Sequence, residues 1–195
     1  MGPEALLAAL ARSSGESSDF DLNPGTVLPP GRKLRPAAVL IAVCEGACGP
    51  SVLLTKRASG LKHHPGQIAF PGGKIDAGDA SAEAAALREA QEEVGLDPAL
   101  VRVLGQLPAH ETVTGYTVVP ILGHIRADFT PVPEAGEVEE VFRVPLAHLA
   151  DPANFRVERR MWRGVWRRYY VVPYGPYYIW GATARMLRGL AERIA

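Results

Sequence analysis

The chain has 195 residues, 47% of them hydrophobic, which is enough for one domain with a substantial core. Lys and Arg number 21 against 21 Asp and Glu, so a formal net charge of zero excludes bulk attraction to nucleic acid or a membrane surface while leaving local patches open. Two cysteines, Cys44 and Cys48, are too few for a disulfide framework or a structural zinc, and no apolar run is long enough to span a bilayer.

In chain order, the Ala- and Leu-rich residues 3–11 predict a short helix, with neither the basic start nor the hydrophobic block of a signal peptide. Residues 13–31, rich in Ser, Asp, Pro and Gly, read as a linker. A basic entry, Arg32-Lys33-Leu34-Arg35, leads to an apolar run over 37–44, expected as a strand buried on both faces. A turn over 45–50 precedes a second strand over 51–56, and the two cysteines read as reduced thiols near a strand end.

The stretch 70–96, FPGGKIDAGDASAEAAALREAQEEVGL, is a glycine turn followed by a helix dense in carboxylates. At about 100° per residue, Glu89 and Glu93 lie one turn apart on the same face with Glu92 beside them. Leu87, Ala90 and Val94 form the apolar side, so the carboxylates are expected to point away from the core. Asp79 or Ser81 can cap the helix, Glu83 suits its first turn, and Gly95 with Leu96 and Asp97-Pro98 ends it. Arg88 can pair with Glu92 at i,i+4, which leaves Glu89 and Glu93 without a cation on their ridge. Oxygen donors so placed suit Mg²⁺ or Mn²⁺, and Gly72-Gly73 removes two side chains where an anion would approach. A solvated acidic helix face is the plain alternative.

This combination resembles the Nudix box, G-x5-E-x7-R-E-U-x-E-E-x-G-U with U aliphatic. Residues 88–96, REAQEEVGL, fit its second half, Ala90 being the weakest aliphatic match. In the first half the acidic position is Asp79, and eight residues instead of seven separate it from Arg88. The resemblance implies a Nudix α/β/α sandwich with a mixed β-sheet, and a divalent metal on Glu89, Glu93 and Glu92 with Arg88 as orienting partner.

Upstream, residues 53–73, LLTKRASGLKHHPGQIAFPGG, resemble the signature of the coenzyme A diphosphatases within that superfamily, L-L-T-x-R-S/A-x3-R-x3-G-x3-F-P-G-G. Leu53, Leu54, Thr55, Arg57, Ala58, Gly66, Phe70, Pro71, Gly72 and Gly73 fall on the pattern; Lys62 stands where it has Arg, keeping charge but losing the planar fork. The longer loop after the turn is a feature of the same subfamily. Arg57, Lys62, His63 and His64 would supply donors beside the metal site, suited to a substrate with a diphosphate and a 3′-phosphate; an exposed loop is the alternative for the histidine pair.

Beyond the helix, residues 101–107 read as a strand, 110–115 as a loop, and 117–125 as an apolar strand in which Pro120 marks an edge position or a bulge. The Pro-rich loop 130–136 precedes Glu137, Glu139 and Glu140. Nudix enzymes often add a glutamate from outside the box, and Glu111, Glu137, Glu139 and Glu140 are candidates, with Glu137 and Glu140 preferred because they follow a loop long enough to reach back. Residues 141–146 read as a strand and 145–149 open a short helix. Residues 156–168 hold six arginines, one glutamate and two tryptophans. They suit either nucleotide or nucleic-acid binding, but their alternation about Arg163-Gly164 favours an exposed hairpin. Residues 177–190 read as a closing amphipathic helix, also similar to the C-terminal segment of coenzyme A diphosphatases.

The expectation is a single cytoplasmic domain: helix and linker over 1–31, catalytic core over 32–150, hairpin and helix over 151–195. It would hydrolyse coenzyme A and its derivatives with Mg²⁺ or Mn²⁺ to 3′,5′-ADP and 4′-phosphopantetheine, with no nucleic-acid or membrane partner. Glu89, Glu92, Glu93, Arg88, Glu137 and Glu140 would serve the chemistry, and Arg57, Lys62, His63, Gly66, Gly72 and Gly73 the substrate. The alternatives are another Nudix substrate, such as ADP-ribose, or a Nudix-like module that binds without catalysis.

Overall fold

The computed structural model describes residues 2–12, 15–61, 64–127, 129–162 and 164–195. Lys62 and His63, expected at the substrate site, and Arg163 of the hairpin turn lie outside them. The elements are α1 (Pro3–Ala11), β1 (Ser17–Ser18), β2 (Arg35–Cys44), β3 (Ser51–Arg57), β4 (Ile68–Ala69), β5 (Gly72–Lys74) and α2 (Ala82–Val94), then β6 (Val101–Gln106), β7 (His110–Glu111), β8 (Tyr116–Ile125), β9 (Val138–Pro145), α3 (Leu146–Leu149), β10 (Arg156–Trp162), β11 (Val165–Tyr174), β12 (Tyr177–Trp180) and α4 (Ala182–Ile194). No helix among the described residues is long and apolar enough to cross a membrane.

β2 is the spine of a mixed sheet. Its apolar run splits by parity: Ala37, Ile41 and Val43 face one apolar layer with Leu6 of α1 and Leu187 and Leu190 of α4. Ala38, Leu40, Ala42 and Cys44 face another with Ala85, Ala86, Ala90 and Val94 of α2. Period-two alternation with both faces covered explains why the run has no polar side, and it gives the expected α/β/α layering.

One edge of β2 pairs in parallel with β8 along its whole length, from Arg35 opposite Tyr116 to Cys44 opposite Ile125. The other edge is divided. β3 pairs antiparallel only at Val43 and Cys44, whereas Ala37 to Val39 pair with β5. Between these contacts Leu40 N–H donates to the Pro71 carbonyl at 2.8 Å, so the glycine turn fills the split. β3 continues outward to β9 and β4.

Four expectations change. Pro120 sits on an internal strand: β8 has β2 on one side and β6 and β7 on the other. Proline fits because β6 ends opposite Ile121 and β7 begins opposite Val118, so only its carbonyl is used there, by Leu107 N–H at 2.9 Å. The supposed linker contributes β1, paired in parallel with β7, which lies in the stretch expected as a loop. The closing helix begins at Ala182, because Tyr177–Trp180 pairs with β11. Aromatic and β-branched side chains there favour a strand, and Gly181, at φ 67°, makes the change of direction. The hairpin is as expected, β10 pairing antiparallel with β11 from Arg156 opposite Val171 to Trp162 opposite Val165.

Candidate active site

α2 begins where Ser81 Oγ accepts the Ala84 N–H at 3.1 Å, and it ends at Gly95 in the left-handed conformation, φ 68°. Alanines at 85, 86 and 90 let the helix lie close on the sheet. Glu93 is three residues beyond Ala90 and seven beyond Ala86, which puts it on their stripe. It is accordingly buried, at 5% exposure, and does not point away from the core as its charge leads one to expect. Leu87, expected on the apolar face, is at its margin and only half-buried.

The Gly72 N–H donates to Glu93 Oε2 at 3.2 Å. Burial pushes the Glu93 carboxyl up to about 7, opposed by that hydrogen bond, and the charges of Glu89 and Glu137 add to the rise while Arg57 works against it. Glu89 is also raised, first by burial, with Arg88 opposing and Glu92 and Glu137 reinforcing. Glu89, Glu93 and Glu137 thus form one negative patch, and Arg57 bears on it from the end of β3.

Arg88 holds the rim. Its Nε and one terminal nitrogen form a fork on the Asp79 carboxylate, both at 3.0 Å, and its other terminal nitrogen reaches Glu89 and Glu92, each at 3.1 Å. The Arg88 contact to Glu89 was not anticipated. Asp79 does not cap α2; it accepts from the Asp76 N–H at 2.8 Å and anchors Arg88, whose hydrogen bond holds the Asp79 carboxyl below the usual range. Glu92, turned toward Arg88, is largely exposed on the outer side of the helix.

The loop before β9 folds back over the end of α2. Val132 and Glu134 N–H groups donate to the Val94 and Glu93 carbonyls, each at 2.9 Å, which brings Glu137 over the patch. Glu140 is not brought there: it lies on the opposite face of β9 and accepts from the Tyr177 hydroxyl at 2.5 Å, beside the Phe142–Tyr177 stack. Glu139 is paired with Lys56 at 2.6 Å and Glu111 with Arg32. The signals that separate these glutamates, strand parity and the fold-back of the loop, depend on pairing that the sequence does not display.

The glycine turn is cut close to the patch. A Cβ on Gly73 would stand 2.6 Å from the Glu89 carboxyl, and one on Gly72, at φ 155°, would stand 2.4 Å from the Ala38 carbonyl. Gly66, at φ 69°, shapes the preceding loop, where its N–H bonds the Arg57 carbonyl at 3.1 Å. His64 of the same loop has φ 54°.

Among the described residues no three His, Cys, Asp or Glu side chains already enclose a metal ion. The donor set nevertheless fits one: Mg²⁺ takes one or two carboxylates and completes its shell with water and substrate oxygens. Glu89 and Glu93 are adjacent, mutually repelling and partly desolvated, and the absence of a side chain at Gly73 lets the Glu89 carboxyl lie against the turn.

The NUDIX domain family matches residues 33–163. Two relatives described as uncharacterised Nudix hydrolase NudL, from Escherichia coli strain K12 and Enterobacter sp. strain 638, are 44% and 43% identical over 160 residues, which covers 82% of this chain and 83% of each relative. Among solved structures, the Nudix hydrolase RenU from M. smegmatis superposes with a TM-score of 0.51 at 26% identity, over 61% of this chain and 75% of that one. A MutT/nudix family protein from Enterococcus faecalis gives 0.51 at 16% identity over 88% of this chain and 66% of its own, a likeness of fold. The family match spans the spine strand, the glycine turn, the carboxylate helix and the returning loop, and the chain belongs to the Nudix hydrolase family.

Proposed function

We propose that the chain is a metal-dependent diphosphatase that cleaves coenzyme A and its derivatives into 3′,5′-ADP and 4′-phosphopantetheine. The observation that carries this reading is the position of the Leu53–Gly73 stretch. Its Arg57 lies at the end of β3, its backbone tied to Gly66 and Gln67 and its charge felt at Glu93. Of the residues that resemble the coenzyme A diphosphatase signature, Arg57, Gly72 and Gly73 therefore border the carboxylate patch.

Glu89 and Glu93 would hold Mg²⁺ or Mn²⁺, and Glu137 adds charge to the same patch. When bound, such an ion neutralises the diphosphate and makes water acidic enough to attack near neutral pH. Gly72 and Gly73 would serve the substrate as a turn whose main chain meets the carboxylates, Gly72 by packing on β2 and Gly73 by leaving its side next to Glu89 free of a Cβ. Arg57 offsets the charge that substrate brings, and Lys62 and His63, which lie outside the described residues, would add donors for peripheral phosphates. Arg88, fixed by Asp79, orients Glu89 and Glu92; Glu92 is free enough on the outer side to relay a proton. Positioning and electrostatics dominate phosphoryl chemistry, which is what this arrangement supplies.

A panel of coenzyme A, acyl-coenzyme A, ADP-ribose and dinucleoside polyphosphates, assayed with Mg²⁺ and Mn²⁺, tests the reading. The highest kcat/KM is expected for a coenzyme A species. A clear preference for ADP-ribose would move the chain to another substrate class, and metal-independent binding without turnover would make it a non-catalytic module.

A further inference from the structure

The arginine-rich hairpin does not lie open to solvent on both sides. One face of β10, β11 and β12 closes over the Gly66–Gln67 loop to form a cavity of about 360 Å³, within the range of small-molecule sites. Register places Arg160 opposite Arg167, Trp162 opposite Val165 and Trp180 opposite Val171, so their side chains share the face toward that cavity.

The charges there lack acidic partners. No carboxylate pairs with Arg160 or Arg167 among the described residues. Arg167 instead lies near two rings, 4.6 Å from the centroid of Trp162 and 5.4 Å from that of Phe20, and its Nε is buried without a hydrogen-bond partner. Arg160 lies 5.0 Å from the Trp180 centroid. The acid in the lining, Asp19, is already committed to His110 at 3.1 Å and the Val113 N–H at 2.8 Å. Two aromatic walls, two uncompensated guanidinium groups and a buried donor left unmatched are the complement of a flat ring carrying a phosphate.

We infer that this cavity is the subsite for the phosphorylated adenosine end of the substrate, with Arg160 and Arg167 reading the phosphate remote from the scissile diphosphate and Trp162 and Trp180 bordering the base. The identity of that ring-bearing anion rests on the coenzyme A reading; the cavity's taste for one does not. Arg57 links the two sites, since its carbonyl and N–H bond Gly66 and Gln67 of the cavity wall at 3.1 and 3.0 Å while its charge acts on Glu93. A nucleic-acid backbone would need the hairpin arginines along one open stripe, but register divides them: Arg159 stands on the face opposite Arg160 and Arg167.

The test is a titration of adenosine 3′,5′-bisphosphate and of AMP onto metal-free protein, followed by tryptophan fluorescence. Wild type should bind the bisphosphate about tenfold or more tightly than AMP, as charge-assisted hydrogen bonds to one phosphate imply. Arg160→Gln and Arg167→Gln should lose that difference, and Arg159→Gln, with the same charge change on the opposite face, should keep it. Equal binding of the two nucleotides, or the same loss in Arg159→Gln, would overturn the assignment. Arg160 is exposed and its replacement is expected to fold even if Arg167→Gln does not. The outcome is separable from the catalytic reading. If coenzyme A is hydrolysed but Arg160→Gln keeps the wild-type kcat/KM ratio of coenzyme A over its 3′-dephospho form, the subsite falls alone. If coenzyme A is not hydrolysed while bisphosphate binding depends on Arg160, the substrate reading falls and the subsite stands.

Discussion

Glu93 Oε2 accepts a hydrogen bond from the Gly72 N–H at 3.2 Å, so the carboxylate helix and the glycine turn meet through a buried acid. That contact joins the two halves of the Nudix box, and it sets what substitutions on either side should do.

Glu93→Gln keeps an acceptor for Gly72 and removes only the negative charge. The folded state should be retained, with a melting temperature no lower than wild type in the absence of metal, while metal-dependent turnover falls by about 100-fold or more. Steady-state kinetics beside a thermal melt checks it; near-normal activity would exclude Glu93 from the metal site.

Glu93 also makes metal-free stability depend on pH. Its carboxyl is raised to about 7 in the folded chain, above its ordinary value near 4.5, so the native state holds the extra proton between those values. The group's contribution is therefore full below about 4.5 and is lost as pH rises through about 7, an effect of order 3 kcal/mol at most. Melting temperatures in EDTA should show wild type losing more stability than Glu93→Gln between pH 5 and pH 8, with the gap reduced by Mn²⁺ through binding to the charged form.

The two glycines should separate fold from function. In Gly73→Ala the atoms nearest the new Cβ are those of the Glu89 carboxyl, at 2.6 Å, a side-chain end that can shift at the cost of its place in the site, so the protein should fold and lose activity. In Gly72→Ala it meets the Ala38 carbonyl and Val39 Cα at 2.4 and 2.6 Å, so stability should fall by about 1–3 kcal/mol or more. Denaturant melts and initial rates on both variants decide it.

Glu137 and Glu140 were equivalent candidates by position in the chain, and their faces now differ. Glu137→Gln should lower kcat and weaken the Mn²⁺-dependent rise in melting temperature. Glu140→Gln, which keeps an acceptor for the Tyr177 hydroxyl and removes a charge remote from the patch, should leave kcat within about twofold.

Much of this was legible before the fold. The spine strand announced itself by an apolar run without a polar side, and α2 by Ser81 and Gly95 at its ends. The burial of Glu93 runs against the outward placement expected of the carboxylates, although its spacing from Ala86 and Ala90 is a property of the helix alone. Other features depended on partners distant in sequence. Pro120 is tolerated on an internal strand because its neighbours change from β6 to β7 at that residue. Phe20, within a segment that reads as linker, stands over Arg167, far along the chain. Composition could show the hairpin's charge and alternation, but not the cavity that forms when the hairpin meets the Gly66–Gln67 loop.

The most direct test of the central claim is a product-resolved assay of purified protein on coenzyme A, with Mn²⁺ and with EDTA. The account predicts 3′,5′-ADP and 4′-phosphopantetheine in equal amounts, formed only with the metal and abolished in Glu93→Gln. Intact coenzyme A beside rapid metal-dependent hydrolysis of ADP-ribose, or products unchanged by EDTA, would contradict it.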